Sequence, residues 1–319
     1  MKTPQNSRKM IFGLAFLGVT TTVSAAESLF DVGVGARSER FHWSISGNFD
    51  GTSPNILSEL IWDEVNIVEI FFNTDTRTNN GIRVQTHLAY GSIEDGRVRD
   101  SDYLASERNA EFSRSLSASE GDSTLDVSIS VGYELPVTDA QATKLTPFVG
   151  ISMRESDFEI TQGFQALDVF GGTGGASFGG LNSTYDTEWE SAFLGLQLDH
   201  MHGRWHVFGR YEYHDFTYKA KANWNLRSDF AHPVSFIHDS DGSGPLYAVG
   251  ARRSITADWD LFMNYSWWNW DADNGSDTTF FSDGTSSRTR LKTAVSDGNT
   301  FFLGVSYTPG QKEQKLAKN

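Results

Sequence analysis

The segment Leu125-Asp126-Val127-Ser128-Ile129-Ser130-Val131-Gly132-Tyr133-Glu134-Leu135 sets an apolar residue at almost every second position, with Asp, Ser, Ser, Gly and Glu between. Side chains alternate across an extended backbone, so this stretch carries one apolar and one polar face, which is the signature of a strand. Ile82 to Tyr90 repeats the pattern. Further segments share it: Phe30 to Ala36 with a continuation to Ile45, Leu57 to Phe72, Leu145 to Ile160, Ala192 to His200, Trp205 to Lys219, Pro245 to Ile255, Trp259 to Asp271, and Thr300 to Tyr307. Together they make about ten strands, each near or above the length that a tilted strand needs to cross a bilayer.

A soluble sandwich alternates in the same way, so the connections decide. Asp75 to Gly81, Val137 to Thr143, Met201 to Arg204 and Thr256 to Asp258 have the length of turns. The links between them are long: Gly91 to Gly121, Thr161 to Thr187, Ala220 to Gly244 and Ala272 to Ser296, with a shorter one near Gly47 to Asn55. Short and long connections in alternation are what periplasmic turns and extracellular loops produce. The expected fold is all-β: an antiparallel transmembrane β-barrel of about ten strands.

The ends of the chain agree with that location. Lys2, Arg8 and Lys9 precede the apolar run Met10 to Val19, and Ser24-Ala25-Ala26 follow, the layout of a secretory signal peptide. The expected division is a signal peptide over 1–26, a barrel over 27–308 and a polar tail over 309–319. Losing the three basic residues takes the net charge from −15 to about −18, a surface that disfavours a nucleic-acid partner. With no cysteine there is no disulfide framework, thiolate metal site or Cys nucleophile. Tyr133, Trp189, Trp205, Trp259, Trp267, Trp268, Trp270 and Tyr307 fall near strand ends, where interfacial girdles are expected.

On this frame the chain resembles the omptins, a family of ten-stranded outer-membrane endopeptidases. The likeness spreads over most of the mature chain. It rests on Glu59-Leu60-Ile61-Trp62, Asp100-Ser101-Asp102-Tyr103, Pro147 to Phe158, Trp189 to Leu196 and Gly209-Arg210-Tyr211-Glu212-Tyr213. The resemblance implies an Asp-x-Asp pair facing an Asp-x-His pair across the barrel mouth, with an Asp and the His holding the attacking water. A carboxylate-supported His serves as general base near neutral pH. Asp100 and Asp102 match the first pair. The positions of the second pair hold Asn223-Trp224-Asn225, and an amide is no general base. The nearest replacements are Asp229 and His232, followed by His238, Asp239 and Asp241. Asp229 and His232 lie on opposite faces of a straight strand, so only a turn brings them together.

The expected function is therefore an omptin-like endopeptidase with Asp100, Asp102, Asp229 and His232 as its site. The alternative is a non-catalytic barrel (adhesin, structural or small-solute-binding) that keeps the frame, motivated by Asn223 and Asn225. The expected partners are outer-membrane lipid, including lipopolysaccharide, and polypeptide substrates. No cofactor is expected. The Gly-rich stretch Phe170 to Gly180 has no Lys-Ser/Thr and reads as an external loop, not a phosphate cradle. Asp271 to Asp277 lacks the closing Glu of a calcium loop and reads as at most a weak cation site. His200, His202 and His206 flank a tight turn and read as a polar collar. His87 suits the lumen, in a network with Glu69 and Glu212.

Overall fold

Within lipid, strands must exchange all their backbone hydrogen bonds with one another, which forces the sheet to close. The computed structural model describes residues 25–137 and 142–309. The long strands are β1 (Ala25–Ile45), β2 (Ser58–Thr78), β3 (Ile82–Ala105), β4 (Asn109–Ala118), β5 (Ser123–Tyr133), β7 (Thr143–Asp168), β9 (Ser183–His202), β10 (Trp205–Asn223), β11 (Phe236–Ser254), β12 (Trp259–Phe280) and β13 (Ser286–Tyr307). Two short pieces, β6 (Leu135–Pro136) and β8 (Ala176–Ser177), pair with β7. The expected signal peptide lies outside the described residues except for Ala25 and Ala26, which open β1; residues 310–319 of the expected tail lie outside them too.

All pairings are antiparallel. The order runs β2-β1-β13-β12-β11-β10-β9-β7, and β3 closes the ring back onto β2. Between β7 and β3 one wall strand comes in two pieces: β4 pairs with their upper parts and β5 with their lower parts. Counted as one, they give ten wall strands among the described residues, the expected barrel. Turns at the lower end are tight. Gly81 and Gly203 take φ of 88° and 59° there, a region that a residue with a Cβ enters at a cost.

The expected long external loops are mostly strand. β3, β7 and β12 run for 24, 26 and 22 residues, about twice what a bilayer needs. The wall therefore rises far above the lipid, and Asp271 to Asp277, expected as a loop, lies inside β12. The upper links run from the short 106–108 and 281–285 to the longer 46–57 and 224–235.

The physical reason is a change of parity. In the lower half the apolar residues face out: Val32 and Val34, Ile70 and Phe72, Val149 and Ile151, Leu194, Leu196 and Leu198 are all exposed. Higher up the apolar residues turn inward, as Phe41, Trp43, Leu60, Phe158, Trp189, Phe216 and Trp270 pack into one cluster that fills the mouth. The same change corrects the expected aromatic girdle. Trp205, Trp259, Tyr133, Tyr307 and Trp267 are outward and exposed, but Trp189, Trp268 and Trp270 are at most 3% exposed and belong to the plug.

Below the plug the lumen is crossed by buried ion pairs. Arg37 meets Glu39, Glu69 at 3.4 Å and Asp126 at 2.9 Å, and Arg154 meets Asp126 at 2.6 Å. The two guanidiniums stand 5.0 and 4.3 Å from the Trp268 ring. Glu212 holds Arg210 and His214. Nearest the periplasm, Arg83 bridges Asp75 and Asp199 at 2.6 Å each, and Arg252 meets Asp31 at 2.7 Å. Each buried charge would cost several kcal/mol unpaired, and here opposite charges are interleaved across the ring. About 190 Å³ of space remains among these side chains. His87 does face this interior, but its partner is Asn73 at 2.7 Å, not Glu69 or Glu212. His206 joins the same interior through Asp199 at 2.8 Å, while His200 meets Thr143 at 2.9 Å.

Candidate functional site

Asp100 and Asp102 lie on the upper part of β3, opposite Leu60 and Ser58 of β2 and opposite Ser115 and Ser113 of β4. Directly opposed residues share a face. Leu60 belongs to the mouth plug, so both carboxyls turn inward at its rim. They stand roughly 33 Å along the strand above Tyr90, which faces lipid, and are clear of the membrane. Burial holds both above the ordinary carboxylate range, and the charge of Asp102 raises Asp100 further. Hydrogen bonds from Ser58 and Ser113 and the positive charge of Arg227 act the other way. Two such carboxyls titrate as a pair, one favoured as acid while the other is ionised.

Arg227 belongs to the link between β10 and β11, which carries the other half of the expected site. Its guanidinium grips Asp229 at 2.9 and 2.8 Å and stacks 4.1 Å from the Phe230 ring. That pairing holds the Asp229 carboxyl below its usual range. His232 donates from Nδ1 to the Asn223 side-chain oxygen at 2.7 Å, which leaves Nε2 as the ring's acceptor. Asn225 braces the neighbouring loop, accepting from the Asn182 backbone at 2.9 Å and donating to the Gly180 carbonyl at 2.7 Å.

Asp100 and Asp102 are thus brought together, with Arg227 near enough for its charge to act on both. Asp229 and His232 are not brought together. The two-residue spacing lets Arg227 capture Asp229, and the turn instead folds His232 back onto the end of β10. Sequence reasoning missed Arg227, although a cation two residues from Asp229 in the same short link was a readable signal.

His238 has a different place. It is opposite Asp277 across β11 and β12 and points into the plug, 2% exposed. Its Nε2 is 3.3 Å from the Asp277 carboxylate, and its Nδ1 is 2.7 Å from the Tyr185 hydroxyl. Tyr185 in turn meets Tyr218 at 2.6 Å, while Thr289 donates to Asp277 at 2.9 Å. This buried Asp–His–Tyr–Tyr chain joins four strands, and only the register, not the sequence spacing, assembles it. Asp239, next in the chain, is exposed on the outer wall. Among the described residues no group of three or more His, Asp or Glu is placed to hold a metal ion.

The outer membrane protease OmpT of Escherichia coli superposes with a TM-score of 0.72 at 13% identity, over 89% of this chain and 97% of that one. The likeness covers the whole ring and establishes an omptin-like fold. The outer membrane protein OprG of Pseudomonas aeruginosa matches at a TM-score of 0.41 and 11% identity, over 89% and 96% of the two chains, too distantly to bear on the site. No curated protein matches the sequence. The family model described as Pom, Protochlamydia outer membrane protein, matches residues 31–304. With a match over most of its length, this outer-membrane barrel of omptin-like fold belongs to the Protochlamydia outer membrane protein family.

Proposed function

We propose that this barrel is non-catalytic: a structural or adhesive protein of the cell surface that keeps the omptin frame without its second water-holding pair. One observation carries this reading. The positions of the Asp-x-His pair are occupied by Asn223 and Asn225, the nearby His232 has an amide and not a carboxylate behind its ring, and Asp229 is occupied by Arg227. Without a carboxylate behind it, the ring lacks the second residue of a pair that would orient it toward a water. The lipid-facing band supports outer-membrane lipid as the partner of the lower wall, and we extend this to lipopolysaccharide.

A specific feature favours an omptin-like endopeptidase as the second reading. The coupled carboxyls of Asp100 and Asp102 form a pair able to give and take a proton, and His232 keeps Nε2 free as an acceptor. In that reading Asp100, Asp102, Asp229 and His232 line the cleft, and Arg227 orients the scissile carbonyl of a polypeptide. The test is to fold the full chain in detergent with lipopolysaccharide and incubate it with a broad peptide library. The non-catalytic reading expects no cleavage. Cleavage that is lost in Asp102→Ala, in a barrel that still folds, overturns it in favour of the peptidase. Steady conductance in planar bilayers overturns it in favour of solute passage through the lumen.

A further inference from the structure

On the outer wall, β1 to β4 and the link after β3 enclose a cleft of about 530 Å³. Arg40, Arg99, Arg108 and Arg114 converge on it, against only Glu59 and Glu111. The two carboxylates are well covered, and each organises an arginine. Glu59 accepts from Arg108 Nε at 3.0 Å, and Glu111 accepts from Arg114 Nε at 2.7 Å. Arg99 and Arg40 make only long ion pairs, at 4.0 Å to Glu59 and 3.9 Å to Asp63, and both remain about half exposed. His42, in the same wall, is held below its ordinary range by burial and by Arg40, so it adds no charge at neutral pH. The floor is apolar, formed by Ile61 and the ring of Tyr103, both largely buried.

The lining of the cleft therefore sets four guanidiniums against two carboxylates, on a chain of net charge −15. Its guanidiniums are splayed by buried carboxylates, with donors left over for oxyanions. An apolar floor under a ring of arginines suits a sugar ring bearing acidic groups. Its height excludes the phosphates of the lipid bilayer. Ile61 is seven residues above the lipid-facing Val68. At about 3.3 Å per residue and a tilt near 40°, that is about 18 Å above the hydrocarbon, whereas headgroups extend only about 5–7 Å.

We infer that this outer cleft binds an acidic oligosaccharide, with Arg40 and Arg99 as the principal anion contacts and Arg108 and Arg114 as fixed flanking donors. The test uses the full barrel folded in detergent micelles, titrated calorimetrically with a sulfated hexasaccharide, a polygalacturonate hexasaccharide and neutral maltohexaose. Saturable binding of an acidic hexasaccharide and none of maltohexaose is expected. The double variant Arg40→Gln/Arg99→Gln removes only the two long ion pairs and leaves the short Glu59–Arg108 and Glu111–Arg114 pairs in place. It should weaken binding at least tenfold, and Arg114→Gln by a smaller factor. Lys219→Gln/Lys221→Gln, on the exposed wall of β10, should stay within twofold. Three results overturn the inference: equal loss in the Lys219/Lys221 variant, competition by inorganic sulfate at the same anion concentration, or binding only to lipopolysaccharide-bearing vesicles with no soluble saccharide bound.

Discussion

Tyr185→Phe tests the buried chain that ties the mouth together, and its cost can be worked from the contacts. The Tyr185 hydroxyl lies 2.6 Å from that of Tyr218 and 2.7 Å from His238 Nδ1, and both tyrosines are fully buried. Removing one oxygen opens no cavity worth counting, but it orphans two buried polar groups, at about 1–3 kcal/mol each. Allowing for the desolvated hydroxyl that is itself removed, the expected loss is about 3 kcal/mol. Tyr218→Phe should cost less, about 1 kcal/mol, because Tyr185 keeps His238 as its partner. The double variant then orphans only His238, so adding Tyr218→Phe to Tyr185→Phe should restore about 1 kcal/mol. Tyr213→Phe, whose hydroxyl meets Ser243 at 2.9 Å on the exposed wall, is the control and should stay within about 0.5 kcal/mol. The assay is reversible urea unfolding in micelles, followed by tryptophan fluorescence and by the gel mobility of the folded barrel. If Tyr185→Phe matches the wild type, or the two single costs simply add, the hydroxyls are not one cooperative chain and the reasoning fails.

Other perturbations read other parts of the molecule. Asp100→Asn should stabilise the barrel at pH 7.5 and do almost nothing at about pH 3, below the unfolded carboxylate range. The sign follows from the raised Asp100 carboxyl: its favourable contribution is complete below the unfolded pKa and is lost as pH rises through the folded one. Melting followed by gel mobility at the two pH values checks this, and a larger gain at acid pH contradicts it. Asp199→Ala strips a carboxylate from both Arg83 and His206 and should cost about 3–5 kcal/mol in urea unfolding. Leu196→Arg, in the middle of the outward apolar run of β9, should cost about 2–4 kcal/mol in lipid vesicles. A neutral result there would mean that this wall does not meet hydrocarbon.

The barrel was legible because two independent periods coincide, alternation along the strands and the short-long rhythm of their links. The height of the wall was not, since alternation was followed only while apolar residues kept one parity. Trp267 and Trp268 show where the parity changes: the first is exposed on the lipid side, and the second is buried under the guanidiniums of Arg37 and Arg154. Val68 and Ile67 on β2 do the same, as do Tyr213 and the buried residues His214 and Phe216 on β10. Each pair marks the outer edge of the hydrocarbon. Beyond it water favours polar residues outside, and the plug needs aromatic ones inside. Taken as a rule, one parity change per strand would have read the extra turns of wall from the sequence.

The same rule divides the candidate site into what was readable and what was not. Above the change, residues in step with Val98 point inward, which places Asp100 and Asp102 over the plug and Arg99, Ser101 and Tyr103 on the outer wall. The inward pair and the outer cleft are therefore two faces of one strand segment. The link between β10 and β11 has no such register, and its arrangement depends on competition for partners. Arg227 pairs with Asp229, and His232 bonds instead to Asn223. A variant that removes the competitor, Arg227→Gln, thus separates the two functional readings. If the carboxylate then supports the histidine, the His232 ring resonances should move in nuclear magnetic resonance as its partner changes from amide to carboxylate, and peptide cleavage should emerge with it. If the turn itself holds the histidine on Asn223, neither changes, and the non-catalytic reading stands.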